Sequence, residues 1–273
     1  MQIAQALRQT TKPFVSLEFF PPAAESHLPE FYETAGGGKQ QNTLNVTAEL
    51  ARRGFTVMAH LTCVGAEPQA ISDFVSHLRA AGVHNVLALR GDAPRGVSDW
   101  DWNAGHFHNA RDLVRFLRSE HPDLGIGVAG YPAPHPDAAT FASDRAYLAD
   151  KLRAGADFVI TQLFFDVREY ESLVSSLRAA GLETPAIPGI LPIQSFDSLR
   201  RVLSLCGANI PGKLYLELEA AHNEGGVEAV REAGLRFAAR QIRQLLDCGA
   251  PGIHLYSLNK SEMCLRLVEE AGL

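Results

Sequence analysis

Cysteine is scarce in this 273-residue sequence: Cys63, Cys206, Cys248 and Cys264 are scattered and form no CxxC pair. A disulfide scaffold and a metal knuckle are thereby excluded, and reduced thiols in a cytoplasmic protein are the simplest expectation. No apolar run reaches the roughly 18 residues of a membrane span, so no membrane partner is expected. The start, MQIAQALRQTTKPF, lacks the apolar stretch and cleavage site of a secretory signal. Positive charge is also short, with 25 Lys and Arg against 31 Asp and Glu for a net charge of -6. A nucleic-acid surface needs the opposite balance. HExxH and GxSxG are missing, and His106 and His108 have no Cys or further ligand beside them, so no metal is expected.

What is present is ordinary globular material, 46% hydrophobic and 21% charged, enough to bury a core. Short apolar runs recur at FVSLEF (14–19), TVMAHLTC (56–63), NVLALRG (85–91), GIGVAG (125–130), DFVITQLFF (157–165), AIPGILPI (186–193) and GIHLYSL (252–258). Each is followed by a stretch of helical period, the signature of βα units, and continuous apolarity suits parallel strands covered on both faces. The pattern predicts an α/β fold, a (β/α)8 TIM barrel formed as a single domain over residues 1–273 and irregular or shortened near its first two strands. The eighth strand is placed at PEFYETA (29–35).

Helix ends are legible. Pro68 opens a helix over 68–81 that Gly82 stops; Asp166 with Glu169, and Asn259 with Glu262, have capping-box spacing. The stretch 195–248 has room for two or three helices. GIGVAG matches G-x-G-x-x-G by letter, but it reads as a strand and prolines follow it, so no dinucleotide turn is expected there. Gly36-Gly37-Gly38-Lys39 lacks the Ser or Thr of a phosphate loop and reads as a turn before a helix near 44–53.

In a βα barrel the carboxyl ends of strands face the active site. Glu18, in LEFFPP, is a carboxyl beside aromatic rings, suited by desolvation to donate a proton, or else a structural ion pair. His60 within AHLTC reads as a hydrogen-bonded core histidine before a catalyst. Arg90, Gly91 and Asp92 place a guanidinium, open backbone and a carboxylate at one strand end, either to hold a polar ring or as a simple salt bridge. Tyr131 closes the next strand. His135 follows, and Asp144 and Lys151 could grip phosphate and ribose or form a solvated helix face. Gln162 is an amide in an apolar strand, and burial without a partner would cost about 1–3 kcal/mol.

Taken in order, SLEFFPP, AHLTCVG, NVLALRGDAP, GYPAPHPDA, DKLRAGADFVITQLFFD, IPGILPI and HLYSLNKSEM resemble the methylenetetrahydrofolate reductase family. The resemblance implies a flavin-containing barrel in which NADH or NADPH reduces FAD and 5,10-methylenetetrahydrofolate is then reduced to 5-methyltetrahydrofolate, for methionine biosynthesis. It implies that Glu18 is the general acid, that Asp92 lies by the flavin and pterin, and that Gln162, Leu258 and Lys260 approach the folate substrate. Thr34, His60, Leu89, Arg90, Gly91, Asp92, Ala129, Tyr131, His135, Asp144, Lys151 and Ile160 would line FAD. One slot used in turn by nicotinamide and folate implies ping-pong kinetics, and the resemblance also implies a homo-oligomer. Two alternatives accompany it, a flavin-independent folate reductase and a barrel that binds folate or flavin without turnover. The segment after FFPP is shorter than the family pattern, and Ser198 and Val202 stand where the family usually carries Gln and Phe.

Overall fold

The structure is a computed structural model that describes residues 2–9, 12–19, 40–93 and 99–273. In chain order its elements are α1 (Ile3–Gln9), β1 (Phe14–Glu18), α2 (Gln40–Arg52), β2 (Met58–Thr62), α3 (Pro68–Ala80), β3 (Asn85–Leu89), α4 (Ala110–Glu120) and β4 (Gly125–Gly130). They continue as α5 (Phe141–Arg153), β5 (Phe158–Thr161), α6 (Val167–Ala179), β6 (Ala186–Ile187), β7 (Gly189–Ile190), α7 (Phe196–Cys206), α8 (Gly212–Asp247), β8 (Gly252–Tyr256) and α9 (Ser261–Ala271). The pairings β2–β3, β3–β4, β7–β8 and β1–β8 are all parallel. Strand–helix alternation, with the first strand beside the last, is the α/β order of the (β/α)8 class.

The chain forms two compact units. The first comprises Met1–Thr10, Pro21–Ala129 and Tyr147–Val159. Here β2, β3 and β4 lie side by side, with Met58 opposite Asn85 and Asn85 opposite Gly125. Pro68 starts α3 where a missing N–H costs nothing, Ile71, Val75 and Leu78 bury one face, and Gly82, at φ 83°, ends it. Each such side chain contributes about 1.5–3 kcal/mol on burial. Asn109 caps α4 by accepting from Asp112 N at 3.2 Å.

The second unit comprises Thr11–Phe20, Gly130–Ala146 and Ile160–Leu273 and holds the sheet β1-β8-β7. Its core joins Leu163, Phe165, Leu191, Ile193, Leu199, Leu214, Leu218 and Val230. The stretch 195–248 is two helices, α7 and α8, the latter interrupted at Gly225 and Gly226.

Several sequence expectations are corrected. AIPGILPI is two strand fragments, because Pro188 has no N–H to donate and its carbonyl instead accepts from His254 N at 2.9 Å. DFVITQLFF leaves the sheet after Thr161. Continuous burial holds for β4 and β5 but not for β1 or β2, which alternate; Val15 and Leu17 are 36% and 43% exposed. Asp166 caps α6 through Arg168 N alone, since Glu169 is engaged by Asn209 at 2.7 Å. The cap of α9 is Lys260 without a side-chain bond, not Asn259. The helix expected near 44–53 begins at Gln40. The strand at 29–35, the Gly36–Gly38 turn and Thr34 lie outside the described residues.

Candidate active site

In the first unit Leu89 ends β3 and is followed by Arg90, Gly91 and Asp92, Ala129 lies next to last in β4, and His60 lies mid-strand in β2. His60 is exposed, which corrects the reading of it as a core histidine, and Asp92 is exposed as well. Strand β3 ends where Arg90 O accepts from Cys63 N and Val64 N, at 3.2 and 2.9 Å. The Arg90 guanidinium lies 4.0 Å over the Trp102 ring. Gly91 has φ 89°, and an added Cβ would stand 2.9 Å from Val64 Cγ1, so only glycine keeps this backbone open. Lys151 is buried and not part of a solvated helix face; its ammonium donates to Ala129 O and lies 5.1 Å from the Tyr147 ring centroid. The first unit thus carries a cation, Arg90, and open main chain at Gly91 after β3, and a second cation, Lys151, on α5 beside Ala129 O of β4. That donor chemistry suits an anionic dinucleotide.

In the second unit Tyr131 and His135 pack edge to face at 4.6 Å on the loop after β4. Arg145 holds that loop by donating to Tyr131 O and, at 2.7 Å, to Pro132 O. Its neighbour Asp144 is buried, 3.7 Å from the same guanidinium. Ile160 is buried in β5, and Gln162 beyond it accepts from Leu163 N at 2.9 Å through its amide oxygen.

At the end of β1, Glu18 has a side chain only 14% exposed, with Oε2 3.4 Å from His254 Nε2. Glu18 O accepts from Ser257 Oγ, which in turn accepts from Asn259 N at 3.1 Å. Ser257 therefore ties the exposed Leu258–Lys260 turn to the strand end that bears Glu18. Leu258 and Asn259 adopt φ 47° and 58° there. Tyr256 donates to Thr161 O at 2.8 Å; loss of hydration, and then the charge of Glu18, push its pKa well above the usual tyrosine value.

The sequence model of the family described as Methylenetetrahydrofolate reductase matches residues 2–272. The chain belongs to the methylenetetrahydrofolate reductase family. Among members of this reductase family, it is 35% identical over 288 residues to methylenetetrahydrofolate reductase (NADH) 1 of Arabidopsis thaliana, covering 94% of this chain and 48% of that one. To the probable NADPH-named enzyme of Caenorhabditis elegans it is 34% identical, covering 95% and 42%. The chain therefore spans about half the length of the curated relatives it matches. Among solved structures, an uncharacterized protein from Clostridium thermocellum described as binding two copies of 5-methyl-5,6,7,8-tetrahydrofolic acid superposes with TM-score 0.60 at 14% identity, covering 98% and 97%. A 2,3-dimethylmalate lyase gives 0.54 at 10%, covering 100% and 86%; both show the fold alone.

Ser198 and Val202 have structural roles. Ser198 completes a capping box with Ser195, and Val202 packs against the apolar core of the second unit. His254, Ser16, Ser257 and Arg145 were missed in the sequence. A histidine and a serine inside apolar strands were the available signal for the first two. Among the described residues no group of three metal-ligating side chains occurs, and no helix is long and apolar enough to cross a membrane.

Proposed function

We propose that this chain reduces 5,10-methylenetetrahydrofolate to 5-methyltetrahydrofolate with NADH or NADPH, using FAD, and that Glu18 supplies the proton. The observation that carries the reading is a nearly buried carboxyl at the carboxyl end of β1, 3.4 Å from a buried imidazole, in a chain of this family. Such a group can deliver a proton where water is excluded, and general acid catalysis is worth roughly a factor of 10² to 10⁴.

FAD, when bound, would accept hydride from the nicotinamide and pass it to the folate. Arg90, Lys151 and His60 would hold it, the cations meeting its pyrophosphate and Gly91 offering backbone without a side chain. Gln162, Leu258 and Lys260 of the second unit would orient the folate. The Clostridium thermocellum protein that shares this fold binds 5-methyl-5,6,7,8-tetrahydrofolic acid, which agrees with a folate ligand here.

The test is to purify the chain, supply FAD, and follow NADH-dependent formation of 5-methyltetrahydrofolate. A yellow protein that NADH bleaches and that shows parallel double-reciprocal lines is expected. Intersecting lines from colourless protein would replace the flavin with direct transfer, and binding without product would leave a carrier.

A further inference from the structure

Ser16, His254 and Glu18 form one hydrogen-bonded row within the second unit. β1 and β8 are parallel with Ser16 opposite His254, and Glu18, two residues beyond Ser16, shares its face of the strand. The imidazole consequently meets Ser16 Oγ through Nδ1 at 2.8 Å and Glu18 Oε2 through Nε2 at 3.4 Å, and its side chain is 3% exposed. The Tyr256 ring stands perpendicular beside it at 5.1 Å, so the ring is confined to this plane.

A neutral imidazole has one N–H and one bare nitrogen, so the bond made at one nitrogen decides what the other offers. The Ser16 hydroxyl has two available acceptors, His254 Nδ1 at 2.8 Å and Ile253 O at 3.4 Å. The shorter contact takes the hydroxyl hydrogen. We infer that Ser16 locks His254 in the tautomer that carries its hydrogen on Nε2, so that the imidazole donates to Oε2 of Glu18 and the transferable proton of the acid resides on Oε1.

The inference deepens the proposed function and rests on it. In the transfer, the Oε1–H bond of Glu18 breaks, a folate nitrogen gains the proton, and Glu18 becomes a carboxylate. Nε2–H continues to donate to Oε2 throughout, now to a full negative charge, and a charge-assisted bond is stronger than a neutral one. His254 neither gains nor loses a proton. It is a positioning residue, and Ser16 positions it.

The test combines NMR of the histidine ring nitrogens with steady-state rates on the full chain supplied with FAD. His254→Gln identifies the His254 resonances by their loss. Wild type and Ser16→Thr should show a protonated Nε2 and a bare Nδ1, and Ser16→Ala a mixture of tautomers. In Ser16→Ala, kcat for folate reduction should fall about tenfold with KM for folate within about twofold, and Ser16→Thr should restore it. A wild-type His254 protonated on Nδ1, or an unchanged kcat in Ser16→Ala, overturns the lock. Wild type with the Nε2–H tautomer that forms no 5-methyltetrahydrofolate defeats the proposed function while upholding the tautomer assignment.

Discussion

The phenol of Tyr256 donates to the carbonyl oxygen of Thr161 at 2.8 Å, joining the end of β8 to the end of β5. Tyr256→Phe strands that carbonyl and should lower unfolding free energy by about 1–2 kcal/mol in a urea titration. Because the folded-state pKa lies above the unfolded value, the phenol's contribution is intact below about pH 10 and declines as pH rises beyond it. In an ultraviolet titration Tyr256 should ionise only above the usual tyrosine range. Ionisation of all tyrosines together while the fold persists would contradict this.

Gly189 follows the proline that divides β6 from β7. A Cβ there would stand 2.3 Å from Thr161 O and 2.6 Å from the Tyr256 ring, and neither neighbour is the loose end of a flexible chain. Gly189→Ala should therefore cost about 1–3 kcal/mol or more. Thermal unfolding would register it as a lowered midpoint, whereas Gly249→Ala, with nothing within 4 Å, is strained only by its φ of 85°.

Arg118 fixes one end of the first unit. It donates to Gly155 O at 2.7 Å, to Pro122 O at 2.6 Å and to Asp157 Oδ2 at 2.8 Å, and that carboxylate also accepts from Ile126 N at 2.8 Å. Lysine is a single point charge and cannot serve these directions at once. Arg118→Lys is expected to lose about 1–3 kcal/mol of stability, read from denaturant midpoints.

The thiols should separate kinetically. Burial pushes Cys63 and Cys264 up to about 11 and raises Cys206 as well, so these three should resist a thiol reagent at neutral pH until the chain unfolds. Cys248 is exposed, yet partial desolvation and its 3.3 Å contact with Glu171 raise its pKa too. It should be the one thiol that reacts in the native state, more slowly than an ordinary exposed cysteine, and Glu171→Gln should accelerate it.

The βα order was readable because β4 and β5 are buried on both faces, so their apolar runs are unbroken in GIGVAG and FVIT. Strand ends were less so, because local sequence does not say where pairing stops. DFVITQLFF stays apolar beyond Thr161, where Leu163 and Phe165 leave the sheet to join the core. Capping spacing misled at Glu169, which a residue far along the chain, Asn209, engages instead. The role of Glu18 could be proposed from strand position and family resemblance. Its partner His254 could not, because the pairing of Ser16 with His254 depends on the register of β1 against β8, the ends of the chain brought together.

The account turns on Glu18, and Glu18→Gln tests it most directly. Formation of 5-methyltetrahydrofolate under NADH should fall by a factor of about 10² or more, because the amide has no acidic proton to give. NADH oxidation with ferricyanide as acceptor, which needs no protonation of carbon or nitrogen, should persist in the same variant. A Glu18→Gln protein that makes 5-methyltetrahydrofolate at the wild-type rate would contradict the assignment of the acid and the function built on it.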